Sequence, residues 1–209
     1  IAMYRNTFLS VMFLACCFNG SLCAQSDAQI YERTCDAKTY PFSDPSPVAT
    51  PNNSYYPYFR FDGFSMQAQE KQWKMVGLEN DYVKLTVTPE IGGKIWGAID
   101  KVNNKEFVYT NGVVKFRDVA MRGPWTSGGI EFNFGIIGHA PTCSTPIDYL
   151  TKKNVDGSVS CHIFSYEWIT RTVWNVEINL PKDKGYFTTH TTWFNQSCIG
   201  QPYYQWVDA

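Results

Sequence analysis

The sequence predicts an antiparallel all-β sandwich, and three observations support this fold class. Apolar and polar residues alternate in short segments, as where Val83, Leu85 and Val87 are separated by polar side chains. Glycine, proline, asparagine and aspartate cluster between these segments, as expected of turns. No segment keeps a helical period over three turns. Many short strands joined by tight turns are typical of a sandwich.

Each strand is predicted from its own alternation and its flanking turns. An aromatic run broken by Pro57 predicts an edge strand over residues 55–61. The turn containing Gly92 and Gly93 separates the first two clear strands. The last strand is still continuing at residue 209, so we expect an incomplete domain. Strands are predicted at residues 82–88, 94–99, 106–109, 159–166, 174–180, 186–195 and 203–209.

Residues 1–24 have the order of a secretory signal peptide. A positive start at Arg5 precedes an apolar run over residues 7–18, and cleavage is expected after Ala24. That run is shorter than the roughly 20 residues that span a bilayer. We therefore predict a secreted or periplasmic protein without a transmembrane segment in its mature chain. The alternative is an envelope lipoprotein with a lipid anchor at Cys16 or Cys17.

The rest of the chain suffices for one domain with its own core. Residues 25–54 are polar and contain four prolines, which predicts an extended N-terminal arm or linker, and residues 55–209 form the predicted domain. The formal net charge is -1 and no basic run occurs, so the composition excludes a nucleic-acid-binding surface. No cofactor motif is present; the paired glycines are not followed by a phosphate-binding sequence.

Four cysteines remain after the predicted signal peptide, at positions 35, 143, 161 and 198. In an exported chain they allow three disulfide pairings, which the sequence leaves open beside buried free thiols. Their spacing is too wide for a zinc motif, and the three histidines have no second ligand at short spacing. We therefore predict no metal site.

Residues 121–139 are the segment richest in candidate functional side chains. Five glycines surround Arg122, Trp125, Glu131 and His139. In an extended segment, Glu131 and Asn133 point to one face and apolar residues to the other. A flat aromatic ring beside acid, amide and imidazole groups suits a sugar, whose C–H faces stack and whose hydroxyls form hydrogen bonds.

We predict Glu131 and His139 as the catalytic pair, because an imidazole with an unperturbed pKa of about 6.5 suits proton transfer near neutrality. Glycoside hydrolysis needs a second carboxyl group, for which Asp118, Asp148 or a residue beyond the sequence is available. The competing interpretations are a surface ion pair for Glu131, core packing for the tryptophans and structural hydrogen bonds for His190. The predicted substrate-binding residues are Arg122, Trp125, Asn133, Asp148, His190 and Trp206.

Two blocks carry a resemblance to known families. Residues 78–95, with a Pro-x-x-Gly-Gly turn between two strands, resemble the opening hairpin of galactose mutarotase-like supersandwich domains. Residues 123–134, followed by Gly138 and His139, resemble a bacterial family of unknown function that is often joined to tetratricopeptide repeats. The resemblance runs from about residue 55 to the end. It implies a large antiparallel sandwich with a concave face directed at carbohydrate.

The resemblance also implies a chemistry to test. In the mutarotases that this sequence resembles, a histidine acts as the acid and a glutamate late in the chain acts as the base. His139 or His190 matches that histidine by residue type. No matching late glutamate stands within the 209 residues. Our hypothesis is an exported glycan-processing protein, a glycosidase or an epimerase. The alternatives are a non-catalytic carbohydrate-binding module and a scaffold or partner-binding domain.

Overall fold

The computed structural model describes residues 26–42, 63–119, 124–202 and 204–209. Within these ranges no α-helix occurs, and the only helical segments are 3-10 turns at Pro89–Ile91 and Pro141–Cys143. The predicted all-β sandwich is confirmed. The strands are β1 (Gln29–Tyr40), β2 (Gln69–Glu79), β3 (Val83–Thr88), β4 (Lys94–Asp100), β5 (Lys105–Val108), β6 (Val114–Lys115), β7 (Arg117–Asp118), β8 (Pro124–Trp125), β9 (Glu131–Phe134), β10 (Asp148–Lys153), β11 (Val159–Glu167), β12 (Thr172–Leu180), β13 (Thr188–Asn195) and β14 (Gln205–Asp208).

One layer is a six-stranded sheet in the order β5-β4-β3-β2-β1-β6. All neighbours are antiparallel except β1 and β6, which run parallel. Strand β1 lies within the segment predicted as an extended arm and pairs along β2 from Gln29 to Thr39. The predicted edge strand at residues 55–61 and the predicted signal peptide lie outside the described residues.

The second layer is an antiparallel four-stranded sheet, β10-β11-β12-β13. Strand β12 alternates between buried and half-buried residues along its whole length, as its sequence predicts. The predicted strands at residues 159–166, 174–180 and 186–195 are confirmed as β11, β12 and β13, with ends shifted by at most two residues.

The main core lies between these two sheets. Val76, Leu85 and Val87 of the six-stranded sheet share it with Val176 and Ile178 of the four-stranded sheet, and all are fully buried. Strand β9 adds Phe132 and Phe134 to the same cluster. Phe134 stacks on Trp174, with ring centroids 4.5 Å apart. These apolar contacts fix the position of β9, and therefore of its polar face.

The four cysteines of the described residues are free thiols. Cys143 and Cys161 are buried, Cys35 is half-buried and Cys198 is exposed. Burial raises the pKa of Cys161 to about 12, so this thiol stays protonated. Of the two interpretations left open by the sequence, the buried thiol describes Cys143 and Cys161.

No helix within the described residues is long and apolar enough to span a membrane. Cys16 and Cys17, the predicted lipid-anchor positions, lie outside those residues.

Candidate functional site

The site is built on the two-stranded ladder of β9 and β14. Glu131 pairs with Asp208 and Asn133 pairs with Trp206, in antiparallel register. Because side chains alternate along a strand, the face opposite Phe132 carries the polar groups. The predicted alternation of β9 is confirmed, but its polar face is covered as well, since all four residues from 131 to 134 are buried.

Glu131 is the centre of the polar cluster and is only 2% exposed. Its Oε1 accepts a hydrogen bond from Nδ2 of Asn133 at 2.7 Å and lies 2.7 Å from Nδ1 of His139. Its Oε2 lies 3.6 Å from Nζ of Lys94 and has no hydrogen-bond partner in the described part of the chain. Oε1 is therefore held by two hydrogen-bond partners, whereas Oε2 is buried and faces the ammonium of Lys94.

Lys94 brings the six-stranded sheet into the site. It is the first residue of β4, is 1% exposed, and donates hydrogen bonds to the backbone oxygen and Oγ1 of Thr126 at 2.6 and 3.1 Å. Burial lowers the pKa of Lys94, and the nearby Glu131 carboxylate opposes this shift. The sequence does not identify Lys94 as a site residue, because an alternating strand predicts only which residues share a face.

The pKa of Glu131 reflects opposed effects. Burial raises it, but the hydrogen bond to His139, the charge of Lys94 and the hydrogen bond from Asn133 together hold the pKa below its usual value. The Glu131 side chain is therefore a carboxylate at neutral pH.

His139 is held in position by backbone geometry and by aromatic packing. It has a positive φ of 54°, an uncommon conformation for a residue with a side chain. Its ring lies against Trp125 and Trp206, with centroids 5.8 and 4.8 Å away. A Cβ atom at Gly138 would lie 1.7 Å from Cε3 of Trp206, so only glycine allows this contact. With Nδ1 next to Glu131, Nε2 is the nitrogen left for other partners.

A cavity of about 330 Å³ adjoins this cluster. The residues that line it include the acidic Glu131 and Asp208, the basic Lys94, and the aromatic Trp125 and Tyr109. His139 and Trp206 do not line the cavity. The remaining lining residues are Phe107, Val108, Thr126, Gly128, Gly129 and Ala209.

Gly128 and Gly129 shape one side of the cavity through left-handed backbone conformations, with φ of 80° and 71°. A Cβ atom at Gly129 would lie 2.4 Å from the carbonyl oxygen of Ile95. This close approach allows Ile95 and Ile130 to exchange backbone hydrogen bonds of 3.0 and 2.8 Å, which tie β4 to the start of β9. The turn geometry predicted for these glycines is confirmed.

Asp208 is the acidic residue that the sequence analysis missed. It is half-buried, and among the described residues no hydrogen bond or ion pair engages its carboxylate. Its charge acts on Lys94, as that of Glu131 does. The only signal in the sequence was the alternation of the last strand, which puts Trp206 and Asp208 on one face.

The other predicted site residues are divided between this cluster and distant positions. Asn133 is fully buried, and both polar atoms of its amide form hydrogen bonds. Nδ2 donates to Glu131, and Oδ1 accepts a hydrogen bond from the backbone N–H of Ala140 at 3.0 Å. Asp148 and His190 lie exposed on β10 and β13 of the four-stranded sheet. Asp118 lies on β7, opposite Pro124, and does not line the cavity. Arg122 lies outside the described residues.

A metal ion fits this cluster poorly. Ligand atoms of Glu131, His139 and Cys143 lie within 4.8 Å of one another. However, the ammonium of Lys94 lies 3.6 Å from Glu131 and would repel a cation. Burial, and then the charge of Glu131, raise the pKa of Cys143 well above its usual value, so this thiol is protonated. The group is better described as a hydrogen-bonded cluster around a carboxylate.

Fold and site together define an all-β sandwich protein with a buried acid–imidazole pair beside a cavity. The chain belongs to the family described as Domain of unknown function (DUF5107), which matches residues 50–209. The structure is also similar to the crystal structure of a TPR-domain containing protein from Parabacteroides distasonis, with a TM-score of 0.78 and 25% sequence identity. The match covers 88% of this chain and 32% of that one, so this chain spans about a third of its relative's length.

Proposed function

We propose that this protein is carbohydrate-active and binds a glycan in the cavity between Trp125, Glu131 and Asp208. The observation that carries the proposal is the presence of aromatic and acidic residues among those that line one cavity. The likeness of residues 78–95 to galactose mutarotase-like supersandwich domains supports the same conclusion, since the expected ligand of that fold is a sugar.

The cavity has the size and lining that a sugar ring requires. Its volume of about 330 Å³ falls in the range of small-molecule sites, roughly 300–1,000 Å³. Trp125 and Tyr109 offer aromatic surface to C–H groups, and the carboxylate of Asp208 accepts hydrogen bonds from hydroxyls. The hydrogen bond with His139 and the charge of Lys94 keep Glu131 ionised.

The chemistry proposed for this site is glycan processing, by hydrolysis or epimerisation. Glu131 is one of the residues that line the cavity, and its lowered pKa keeps it ionised. His139, whose Nδ1 lies 2.7 Å from Oε1 and which does not line the cavity, orients that carboxylate. His139 is therefore proposed to act through Glu131 rather than by direct contact with the sugar.

A paired binding and turnover experiment tests this proposal. Isothermal titration against a panel of oligosaccharides is run beside assays of reducing-sugar release and of anomer interconversion. Trp125→Ala should weaken the Kd at least tenfold, about 1.4 kcal/mol, because it removes the stacking surface. Trp168→Ala is the matched control, since Trp168 is 73% exposed and does not line the cavity. Binding that is absent from the panel, or unaffected by Trp125→Ala, contradicts the proposal.

A non-catalytic carbohydrate-binding module is the second candidate function. The observation that favours it is the enclosure of Glu131, which is 2% exposed and contacts Asn133, His139 and Lys94. In a binding module this cluster would support Trp125 and the cavity wall without reacting. Saccharide binding with neither hydrolysis nor anomer interconversion would identify this function.

We also propose that the protein is exported, on the basis of the signal-peptide pattern of residues 1–24. Expression in a bacterial host followed by intact mass measurement of the periplasmic protein tests it. A mature chain that begins at Gln25 is the expected result; an unprocessed chain retained in the cytoplasm contradicts it.

A further inference from the structure

We infer that His162, Glu177 and His190 bind one divalent transition-metal ion on the outer face of the four-stranded sheet. The three residues belong to the neighbouring strands β11, β12 and β13. The inference is independent of the proposed carbohydrate function, because none of them lines the cavity beside Glu131. It is drawn from the strand register, from the hydrogen bonds around Glu177 and from the neutral residues that surround this carboxylate.

The strand register brings the three residues into one row. Glu177 pairs directly with His162 on one side and with His190 on the other. Because side chains alternate along a strand, all three point to the face opposite the buried Val176 and Ile178. The sequence predicts no metal site because the histidines stand far apart along the chain, but strand pairing places two of them next to one carboxylate.

The spacing of the row suits a single ion. Directly paired residues have Cβ atoms about 4.5–5.5 Å apart, so the two histidines stand roughly 10 Å apart with Glu177 between them. Nε2 of His162 already lies 3.7 Å from Oε1 of Glu177. Two ligand atoms that each lie about 2.1 Å from a tetrahedral ion are about 3.4 Å apart, so this pair needs only a small adjustment.

His190 supplies the third ligand by rotation of its ring. The residue is exposed, and in the described part of the chain no hydrogen bond or ion pair engages its side chain. The ring must turn toward Glu177, because the three ligand atoms do not all lie within 4.8 Å of one another. Exposed side chains change rotamer within nanoseconds, and direct pairing already places the two Cβ atoms side by side.

Hydrogen bonds orient the carboxylate of Glu177 for ligation. Oγ of Ser160 donates to Oε1 of Glu177 at 2.7 Å. Ser160 is fully buried, and its Oγ accepts hydrogen bonds from Nδ2 of Asn154 at 2.9 Å and from Nδ2 of Asn179 at 3.0 Å. The two amides therefore direct the hydroxyl proton toward the carboxylate. Carboxylates that bind metal ions are commonly held by such a second hydrogen bond.

No lysine or arginine in the described ranges forms an ion pair with Glu177. Its neighbours on the same face of β11, β12 and β13, besides the two histidines, are the uncharged Ser160, Phe164, Asn175, Asn179, Thr188 and Thr192. Lys152 also belongs to this face, but it is exposed on β10, opposite Ser160. The cluster around Glu131 differs, because Nζ of Lys94 stands 3.6 Å from that carboxylate. A cation near Glu177 therefore meets attraction rather than repulsion.

Two imidazoles and one carboxylate define the class of ion. Imidazole nitrogen suits Zn²⁺, Cu²⁺ and Ni²⁺, whereas Mg²⁺ and Ca²⁺ prefer sites made of oxygen ligands. Three protein ligands leave one position of a tetrahedral ion for water or another small ligand. A bound ion also ties β13, the last strand of the described sheet, to β11 and β12.

Metal binding by the full chain tests the inference. The protein is purified without a histidine tag, freed of metal with a chelator and titrated with Zn²⁺ by calorimetry, with its thiols kept reduced. We expect one ion per chain, a Kd in the micromolar range or below, and no binding of Mg²⁺ under the same conditions. Co²⁺ in place of Zn²⁺ should give the visible absorption of a tetrahedral nitrogen–oxygen site, without a thiolate charge-transfer band.

Variants assign the ligands. Ser160→Ala should weaken Zn²⁺ binding about tenfold to a hundredfold, the usual effect of losing a hydrogen bond to a ligand. His162→Gln, Glu177→Gln and His190→Gln remove a ligand and should weaken it at least as much. The ligands are half-buried or exposed, so these variants should fold. Zn²⁺ should raise the melting temperature of the wild type and leave that of the ligand variants unchanged.

Two controls complete the experiment. Asp148→Asn removes an exposed carboxylate from β10 of the same sheet, and Cys198→Ser removes the exposed thiol; both should bind Zn²⁺ as the wild type does. No stoichiometric binding by the wild type, or wild-type affinity in His190→Gln, overturns the inference. Loss of binding in Cys198→Ser, or a thiolate band with Co²⁺, also overturns it. None of these outcomes bears on saccharide binding at the cavity.

Discussion

Nδ1 of His139 lies 2.7 Å from Oε1 of Glu131, in a pair that is almost wholly enclosed by protein. The glutamate lies on β9 and the histidine on the following loop, with its backbone in the left-handed region. Trp125 and Trp206 pack on the imidazole, and Lys94 reaches the carboxylate from the six-stranded sheet. The pair thus joins three parts of the chain, and its removal should affect both stability and the cavity.

Replacing His139 with phenylalanine tests the hydrogen bond at nearly constant ring volume. We expect His139→Phe to lower the free energy of unfolding at neutral pH by about 1.5–3 kcal/mol, the usual contribution of a hydrogen bond to a charged group. Urea denaturation measures this difference. His190→Phe, on the exposed face of β13, is the control and should stay within about 0.5 kcal/mol of the wild type. Equal effects of the two substitutions would show that the buried pair contributes nothing specific.

The lowered pKa of Glu131 predicts a pH dependence of stability. A carboxyl group whose folded-state pKa lies below its ordinary value of 4.5 stabilises the fold above that value, and loses this contribution as the pH falls through the folded-state pKa. Unfolding free energies measured from neutrality down to acid should therefore decline below about pH 4.5 in the wild type. The decline should be shallower in Glu131→Gln, while Glu70→Gln, at an exposed position on β2, should follow the wild type.

Lys94 and Glu131 should show strong energetic coupling. Lys94→Met leaves the carboxylate without its countercharge and the backbone oxygen of Thr126 without its donor, so we expect a loss of about 3–5 kcal/mol. The double variant Lys94→Met/Glu131→Gln should lose less than the sum of the two single variants, because no unpaired charge remains. Thermal and urea unfolding supply the four values of this cycle. Lys152→Met, on exposed β10, controls for the loss of a lysine, and strict additivity would contradict the coupling.

Gly138 should tolerate no side chain, because of Trp206. A methyl group there would overlap the indole, which must then shift away from His139, at a cost of about 1–3 kcal/mol. We expect Gly138→Ala to lower the urea midpoint and to weaken saccharide binding. Gly112→Ala is a matched control, since a Cβ atom there has no heavy atom within 4 Å and neither glycine has a positive φ. An unchanged midpoint for Gly138→Ala would show that the indole moves freely.

Much of the fold could be predicted because strand patterns are local. The alternation of Val83, Leu85 and Val87 identifies β3 without knowledge of any partner strand, and the structure confirms it. The glycines at 128 and 129 were correctly assigned to a turn, since positive φ is a property of single residues. The pairing of β1 with β2 is harder to predict from the sequence. The residues of β1 are mostly polar, and its hydrogen bonds go to a strand far along the chain.

Local patterns along the chain are enough to predict the all-β class, the strands with clear alternation and the presence of Trp125, Glu131 and His139 in one glycine-rich segment. Only the tertiary structure showed that Lys94 neutralises Glu131 and that Asp208 stands opposite it. The reason is physical: alternation is set residue by residue along one strand, whereas these partners meet because packing and register join distant segments. The register of β9 and β14 and the hydrogen bonds between Ile95 and Ile130 therefore assemble the candidate site.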